Sequence, residues 1–277
     1  MPVKSESRLV QIRAAQHPLL REFRQVLRGE RKPGAQCPER ILLEGPRLIT
    51  EALRDGLQLE AVLFTPAGLA QQGAGLLPQL SKHVAVAQAP DNLFALASDT
   101  ETPAGVMALA RPPETSVEKF WAPEEGFYLA AAGLQDPGNL GTLARAAEAF
   151  GAAGLARIGP GVGLWHPKTL RASAGSLLRL PARDYPAPEA WIEDAQARGL
   201  RLVAAVPRTG RPPEAINWHG RVALLIGSET HGLPRPLLRA AAEQVVIPMQ
   251  PAVESLNAGV AGAILLYAAA RARAGQL

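Results

Sequence analysis

Three short runs of polar residues and glycines hold the side chains best suited to chemistry. The first is Asn139-Leu140-Gly141-Thr142-Leu143-Ala144-Arg145, running on to Phe150-Gly151. The second is Gly227-Ser228-Glu229-Thr230-His231-Gly232-Leu233, and the third is Ile247-Pro248-Met249 followed by Glu254-Ser255-Leu256-Asn257. Each stands at the end of an apolar stretch. In an open α/β sheet ligands bind beyond the strand ends, so three such runs in one half of a chain suggest one composite site.

Arg145 lies among Leu143, Ala144, Ala146 and Ala147, which are small and apolar. A guanidinium there can grip a phosphate or stabilise a developing alkoxide. It is a poor proton acceptor, because its pKa lies above about 12. An exposed helix arginine is the plainer reading. Asn139 can serve the site or cap a helix. Glu229 can orient Arg145, bind substrate, or be a solvated turn carboxylate. Gly227 allows a backbone to approach a ligand closely. His231 has the pKa range of a base, but it is not expected to act as one. The Ile247-Pro248-Met249 segment can hold adenine by shape and main-chain bonds. Ser255 and Asn257 add donors and acceptors at the start of a helix, with Ser255 as a simple N-cap the alternative.

Those runs need strands and helices behind them. In the first half, residues 5–28 read as a helix divided at Pro18, and 28–40 as a loop carrying Arg28, Arg31, Lys32 and Arg40. Strands at 41–44, 61–64, 84–86 and 106–110 alternate with helices at 45–55 and 90–98. That order implies a compact α/β domain with a largely parallel sheet. Pro112, Pro113 and Pro123 with their charged neighbours mark a linker. The expected division is 1–113, a linker at 114–125, and 126–277.

In the second half, strands are expected at 127–131, 154–158, near Leu180, and at 202–206, 222–226 and 245–247. Helices are expected at 140–150, 167–178, 189–198 and 256–273. The repeated β-α order predicts a doubly wound sheet with helices on both faces. Gly159-Pro160-Gly161-Val162-Gly163 has the wrong spacing for a dinucleotide fingerprint. Lys168, Arg171, Ser173 and Ser176 either line an RNA groove or form a solvated helix face.

The bulk properties narrow the field. The chain has 277 residues, 47% of them apolar, a formal charge of +4 and a pI near 9.6. It is long enough for two cores, and its mild basicity suits a polyanionic partner such as RNA. The single cysteine, Cys37, excludes an intrachain disulfide and a cysteine-rich zinc site. It reads as a free thiol. No metal-ligand cluster is visible. The most apolar stretch, 258–270, is shorter than the roughly 20 residues of a membrane span. The start lacks a secretory apolar core, so a cytoplasmic location without membrane contact is expected.

Two first-half patterns complete the set: Leu43-Glu44-Gly45-Pro46-Arg47, and Ser98-Asp99-Thr100-Glu101-Thr102-Pro103-Ala104-Gly105-Val106. With the three runs above, in this order, the chain resembles the SpoU/TrmH family of RNA methyltransferases, in the SPOUT superfamily. The resemblance implies an N-terminal ribosomal-protein-like RNA-binding α/β domain and a C-terminal SPOUT α/β domain with a trefoil knot. It also implies S-adenosylmethionine bound in that knot, a homodimer, and no metal. Asn139, Arg145, Glu229, Ser255 and Asn257 are then the catalytic residues, and Gly227, Ile247, Met249 and Leu256 contact the cofactor. The activity implied is 2′-O-ribose methylation of a structured RNA, ribosomal rather than transfer RNA. The alternatives are a transfer-RNA 2′-O-methyltransferase, a non-catalytic RNA-binding protein that keeps the fold, and a nucleotide-dependent oxidoreductase. The missing glycine fingerprint weighs against the last. One departure is Pro251, where the family commonly has glycine.

Overall fold

The computed structural model describes residues 9–29 and 38–275. Cys37, Arg31, Lys32 and the first eight residues lie outside the described residues. The chain forms two compact units. One comprises Met1–Pro113 and Trp165–Leu178, the other Glu114–Leu164 and Arg179–Leu277.

In the first unit, among the described residues, a five-stranded sheet has the order β1-β4-β3-β5-β2. Its strands are β1 (Leu9–Gln11), β2 (Ile41–Glu44), β3 (Leu59–Phe64), β4 (Ala85–Gln88) and β5 (Val106–Ala110). The helix expected over 5–28 is not one helix in two pieces. Leu9–Gln11 pairs in parallel with β4, and α1 is confined to Pro18–Leu27. Pro18 starts α1 rather than dividing it, since a first-turn residue needs no intrahelical N–H bond. The sheet is mixed, not largely parallel: β1, β4 and β3 are parallel, while β5 runs antiparallel to both β3 and β2. Alternation of elements fixes their order along the chain but not the direction in which β5 returns.

Helix α2 (Pro46–Arg54) follows β2 as expected. Helix α3 (Pro66–Leu76) was hidden by its three glycines. One of these, Gly68, packs so closely that a side chain there would strike the Gly105 backbone. Helix α4 (Asp91–Phe94) is shorter than the expected 90–98, passing into a 3-10 turn.

The expected helix 167–178 is broken. Helix α7 (Pro167–Ala172) ends where Ala174 and Gly175 turn left-handed, at φ 49° and 92°, and α8 (Ser176–Arg179) follows. Within the first unit α7 lies on β2. The buried Glu44 carboxylate there accepts from Arg171 Nη1 at 2.9 Å, from Thr100 Oγ1 at 2.7 Å and from Ser98 Oγ. Ser173 and Ser176 are buried too, so this stretch is not a solvated face. His166, which caps α7, has its pKa lowered by burial, against the opposing pull of Asp99.

In the second unit, among the described residues, six parallel strands take the order β11-β9-β10-β6-β7-β8. They are β6 (Phe127–Ala132), β7 (Gly154–Ile158), β8 (Ala182–Tyr185), β9 (Arg201–Ala205), β10 (Val222–Ile226) and β11 (Glu243–Val245). Strands β6 and β10 are buried along their whole length, as central parallel strands must be. Helices α6 (Pro137–Ala149), α9 (Pro188–Ala197), α10 (Arg235–Ala240) and α11 (Ala258–Arg273) complete the unit. The expected linker stretch holds a further helix, α5 (Val117–Trp121), whose Phe120 and Trp121 are buried with Tyr128 in this unit's core. Prolines and charges on either side masked that aromatic pair. From β6 the chain winds towards β7; from β10 it winds towards β11. The topological switch therefore lies between β6 and β10, which is where a ligand crevice belongs.

The end of α11 is tied down by one side chain. Arg273 donates to the carbonyls of Trp218 at 2.6 Å, Gly220 at 3.0 Å and Glu125 at 2.6 Å. Arg273→Ala strands three acceptors, so it should cost about 2–3 kcal/mol and lower Tm by about 5–10 °C. Thermal unfolding by circular dichroism tests this, and an unchanged Tm would refute it.

Candidate active site

Strand β6 ends at Ala132, and the chain turns through Gly133 at φ 70°. Asp136 then caps α6, accepting from Gly138 N at 2.9 Å, with Pro137 in the first turn. The cap reading of Asn139 is thereby corrected: Asn139 lies inside the helix, 7% exposed. Its Nδ2 donates to Glu229 Oε1. Glu229 thus holds Asn139. No bond joins it to Arg145, contrary to one expectation for its role. Arg145 lies further along α6, exposed, and among the described residues it has no ion pair. An unpaired guanidinium on a helix otherwise packed with alanine and leucine is available to an anion.

The 227–233 run is a tight hairpin after β10. Ser228 N donates to the Gly232 carbonyl at 3.2 Å, and Gly232 N returns a bond to Ser228 at 2.9 Å. Gly227 is glycine for the hairpin's own sake, because a side chain there would run into the backbone of Gly232 and Leu233. His231 N donates to Ser228 Oγ at 3.1 Å, and its ring is exposed.

The third run follows β11, which ends at Val245 and not at residue 247. Pro251 fits a turn in which Val253 N donates to the Gln250 carbonyl at 2.9 Å, and proline suits the second position of such a turn. Asn257, not Ser255, caps α11, accepting from Val260 N at 3.2 Å. Helix α11 packs on α6 through glycine. A Cβ at Gly259 would lie 3.2 Å from both Asn139 Oδ1 and Asn257 Oδ1, and one at Gly262 would strike Leu143. The two asparagines therefore converge on one point of the α6–α11 seam.

A cavity of about 650 Å³ opens at this end of the sheet. Gly227, Glu229, Ile247, Met249, Ser255 and Leu256 line it. Six of the nine expected site residues thus share one hollow. Asn139 reaches its wall through Glu229, while Arg145 and Asn257 lie outside the lining. Arg208 and Glu254 also line it. Arg208 follows β9, and only knowledge of the strand order would have brought it here. The volume suits a nucleoside-sized ligand. The apolar Ile247, Met249 and Leu256 with polar Glu229 and Ser255 fit the adenosyl and amino-acid parts of S-adenosylmethionine. Among the described residues, no three His, Cys, Asp or Glu side chains gather to hold a metal. No described helix is long and apolar enough to cross a membrane.

The family model for the SpoU rRNA methylase family matches residues 126–267, half of the chain and all three runs. The chain belongs to that family. A second model, the MRM3-like substrate binding domain, matches residues 30–108 of this SpoU chain. An uncharacterised tRNA/rRNA methyltransferase of Synechocystis is 32% identical over 96% of this chain and 95% of its own. A 23S rRNA uridine 2′-O-methyltransferase of Streptomyces viridochromogenes is 30% identical, over 90% of this chain and 88% of its own. The crystal structure of the SpoU methyltransferase AviRb from Streptomyces viridochromogenes, in complex with the cofactor AdoMet, superposes with a TM-score of 0.80. It is 26% identical, covering 95% of this chain and 100% of that one.

Proposed function

We propose that this chain transfers a methyl group from S-adenosylmethionine to the 2′-oxygen of a ribose in ribosomal RNA. The observation that carries the reading is the cavity beyond the ends of β9, β10 and β11, with Glu229 of the Asn139–Glu229 bond in its wall and the unpaired Arg145 on α6. The name of the 23S relative favours ribosomal over transfer RNA. When bound, S-adenosylmethionine supplies an electrophilic methyl. Gly227, Ile247, Met249 and Leu256 hold the cofactor in this reading. Asn139, Arg145, Glu229, Ser255 and Asn257 serve the reaction. A ribose hydroxyl is a weak nucleophile until its proton leaves. Arg145 stabilises the oxygen's developing negative charge and grips the adjacent phosphate. Glu229 fixes the Asn139 amide, Ser255 lines the cavity, and Asn257 caps α11 beside Asn139.

Residues 1–113 bind the substrate RNA through a ribosomal-protein-like fold, 126–277 carry methyl transfer, and 114–125 join them in sequence. The two family-model ranges support this division. The path after edge strand β11, which returns α11 to pack on α6, supports a trefoil knot. A second copy of the chain covers one face of α11. Val260, Ile264 and Tyr267 recur at i, i+4 and i+7 there, each 41–49% exposed. Ile264→Asp should convert dimer to monomer in sedimentation velocity at micromolar concentration; a wild type that is itself monomeric would end the idea. The working location is the cytoplasm, where ribosomal RNA is exposed during assembly.

The deciding experiment supplies radiolabelled S-adenosylmethionine with ribosomal RNA and, separately, transfer RNA from a strain lacking the gene. Ribose-methylated nucleosides are then read by mass spectrometry. Label in ribosomal RNA is expected. Label in transfer RNA alone would establish the alternative substrate, and bound cofactor with no transfer to RNA or ribosomal particles would leave a non-catalytic RNA-binding protein.

A further inference from the structure

The loop Gly159-Pro160-Gly161-Val162-Gly163 follows β7 and takes no part in the site as described above. One side chain holds it. Arg157, on β7 and 13% exposed, uses all three guanidinium nitrogens. Nη2 donates to the Gly161 carbonyl at 2.7 Å, Nε to the Val162 carbonyl at 3.0 Å, and Nη1 to Asp184 Oδ1 at 2.8 Å. Asp184 stands beside Arg157 in the register of β7 and β8. The guanidinium plane is therefore fixed from the neighbouring strand while its other two bonds fix the loop.

The loop's opposite side presses on the segment that leads into α6. Val162 N donates to the Leu134 carbonyl at 2.9 Å. Gly161, at φ 127°, comes so close to that carbonyl that a side chain would strike its oxygen. One residue earlier, Gly133 N donates to the Ile158 carbonyl at 3.0 Å, and a Cβ on Gly133 would lie 4.0 Å from Ser228 Cβ of the 227–233 hairpin. Residues 133–135 are thus held between the clamped loop and the hairpin that carries Glu229. The next residue is Asp136, the α6 cap, and Asn139 follows within a turn.

We infer that Arg157 and Asp184 are positioning residues for methyl transfer. Acting through the 159–163 loop, they set the start of α6, and so the placement of Asn139 and Arg145 along that helix. The inference rests on the methyl-transfer reading. Its physical basis is directional: two carbonyl bonds from one planar group fix a loop more tightly than apolar packing does. A displacement of about 1 Å at reacting groups can cost about a hundredfold in rate. A lysine ammonium cannot span both carbonyls and the carboxylate in the same geometry.

The test compares Arg157→Ala, Arg157→Lys and Gly161→Ala with Tyr185→Phe. The last removes the neighbouring Tyr185–Asp194 bond of 2.9 Å without touching the loop. Hydrogen exchange should accelerate at least about tenfold in the peptide over 133–140 for Arg157→Ala and Gly161→Ala, with Arg157→Lys intermediate. The 222–226 strand should keep its protection. In the same variants kcat should fall at least about tenfold while KM for the cofactor stays within about threefold. Tyr185→Phe should match wild type in both. Unchanged exchange over 133–140 overturns the inference whatever the activity. A wild type that transfers methyl groups while Arg157→Ala keeps its kcat overturns it equally. A wild type without transfer to any RNA overturns the proposed function instead, and the exchange data still decide the clamp.

Discussion

Arg145→Ala should lower the rate of ribose methylation at least about a thousandfold, near 4 kcal/mol of lost transition-state stabilisation. Cofactor affinity should be almost unchanged, because Arg145 does not line the cavity. The informative companion is Arg145→Lys. Lysine keeps the positive charge and has a lower pKa. If residue 145 acts as a proton acceptor, the lysine enzyme recovers activity as the pH rises towards about 10. If it acts by planar, two-pronged contact with the oxygen and phosphate, lysine stays near the alanine level at every pH. The second result is expected. Single-turnover rates between about pH 6 and pH 10 separate the two, and a lysine enzyme that recovers with pH would reverse the assignment.

Gly227→Ala should abolish cofactor binding. The added methyl meets main-chain atoms of Gly232 and Leu233, which no rotamer change relieves. The hairpin must open, and the Ser228–Gly232 bonds and the placement of Glu229 go with it. A loss of at least about thirtyfold in affinity, about 2 kcal/mol, is expected by calorimetry with S-adenosylmethionine. RNA affinity should change little in this reading, since the first unit carries most of it. A variant that binds the cofactor within threefold of wild type would sink the hairpin's proposed role. Gly232 makes a useful contrast: it needs its left-handed φ of 64°, but a Cβ there meets open space.

Much of this was legible in the chain. Strand 222–226 read correctly because a buried parallel strand appears as an unbroken apolar run. Asn139, Glu229 and Ser255 stood out as polar residues close behind apolar runs, although each also had a structural reading as a cap or turn residue. Misreadings arose where two local explanations competed. Asp136 and Asn139 can each cap a helix, as can Ser255 and Asn257, and only backbone geometry chooses between them. Helices α3 and α10 lack the periodic signal of longer helices: α3 carries three glycines and α10 spans six residues. The direction of β5 and the strand order that brings Arg208 to the cavity are long-range facts. So is the Arg157–Asp184 pair, which are 27 residues apart in sequence and adjacent only once β7 and β8 align.

The bond between Asn139 and Glu229 has a thermodynamic consequence. Glu229 faces the hollow on one side and holds Asn139 of α6 on the other. Occupancy of the hollow that shifts this carboxylate also shifts the surface offered to a ribose. Linkage is reciprocal: the factor by which one ligand tightens the other must be returned in full. Enzyme bound to a ribosomal transcript should hold the charged cofactor more tightly than free enzyme does, by the factor that the cofactor tightens the transcript, and Asn139→Ala should remove that factor while leaving each ligand's affinity for the free enzyme intact.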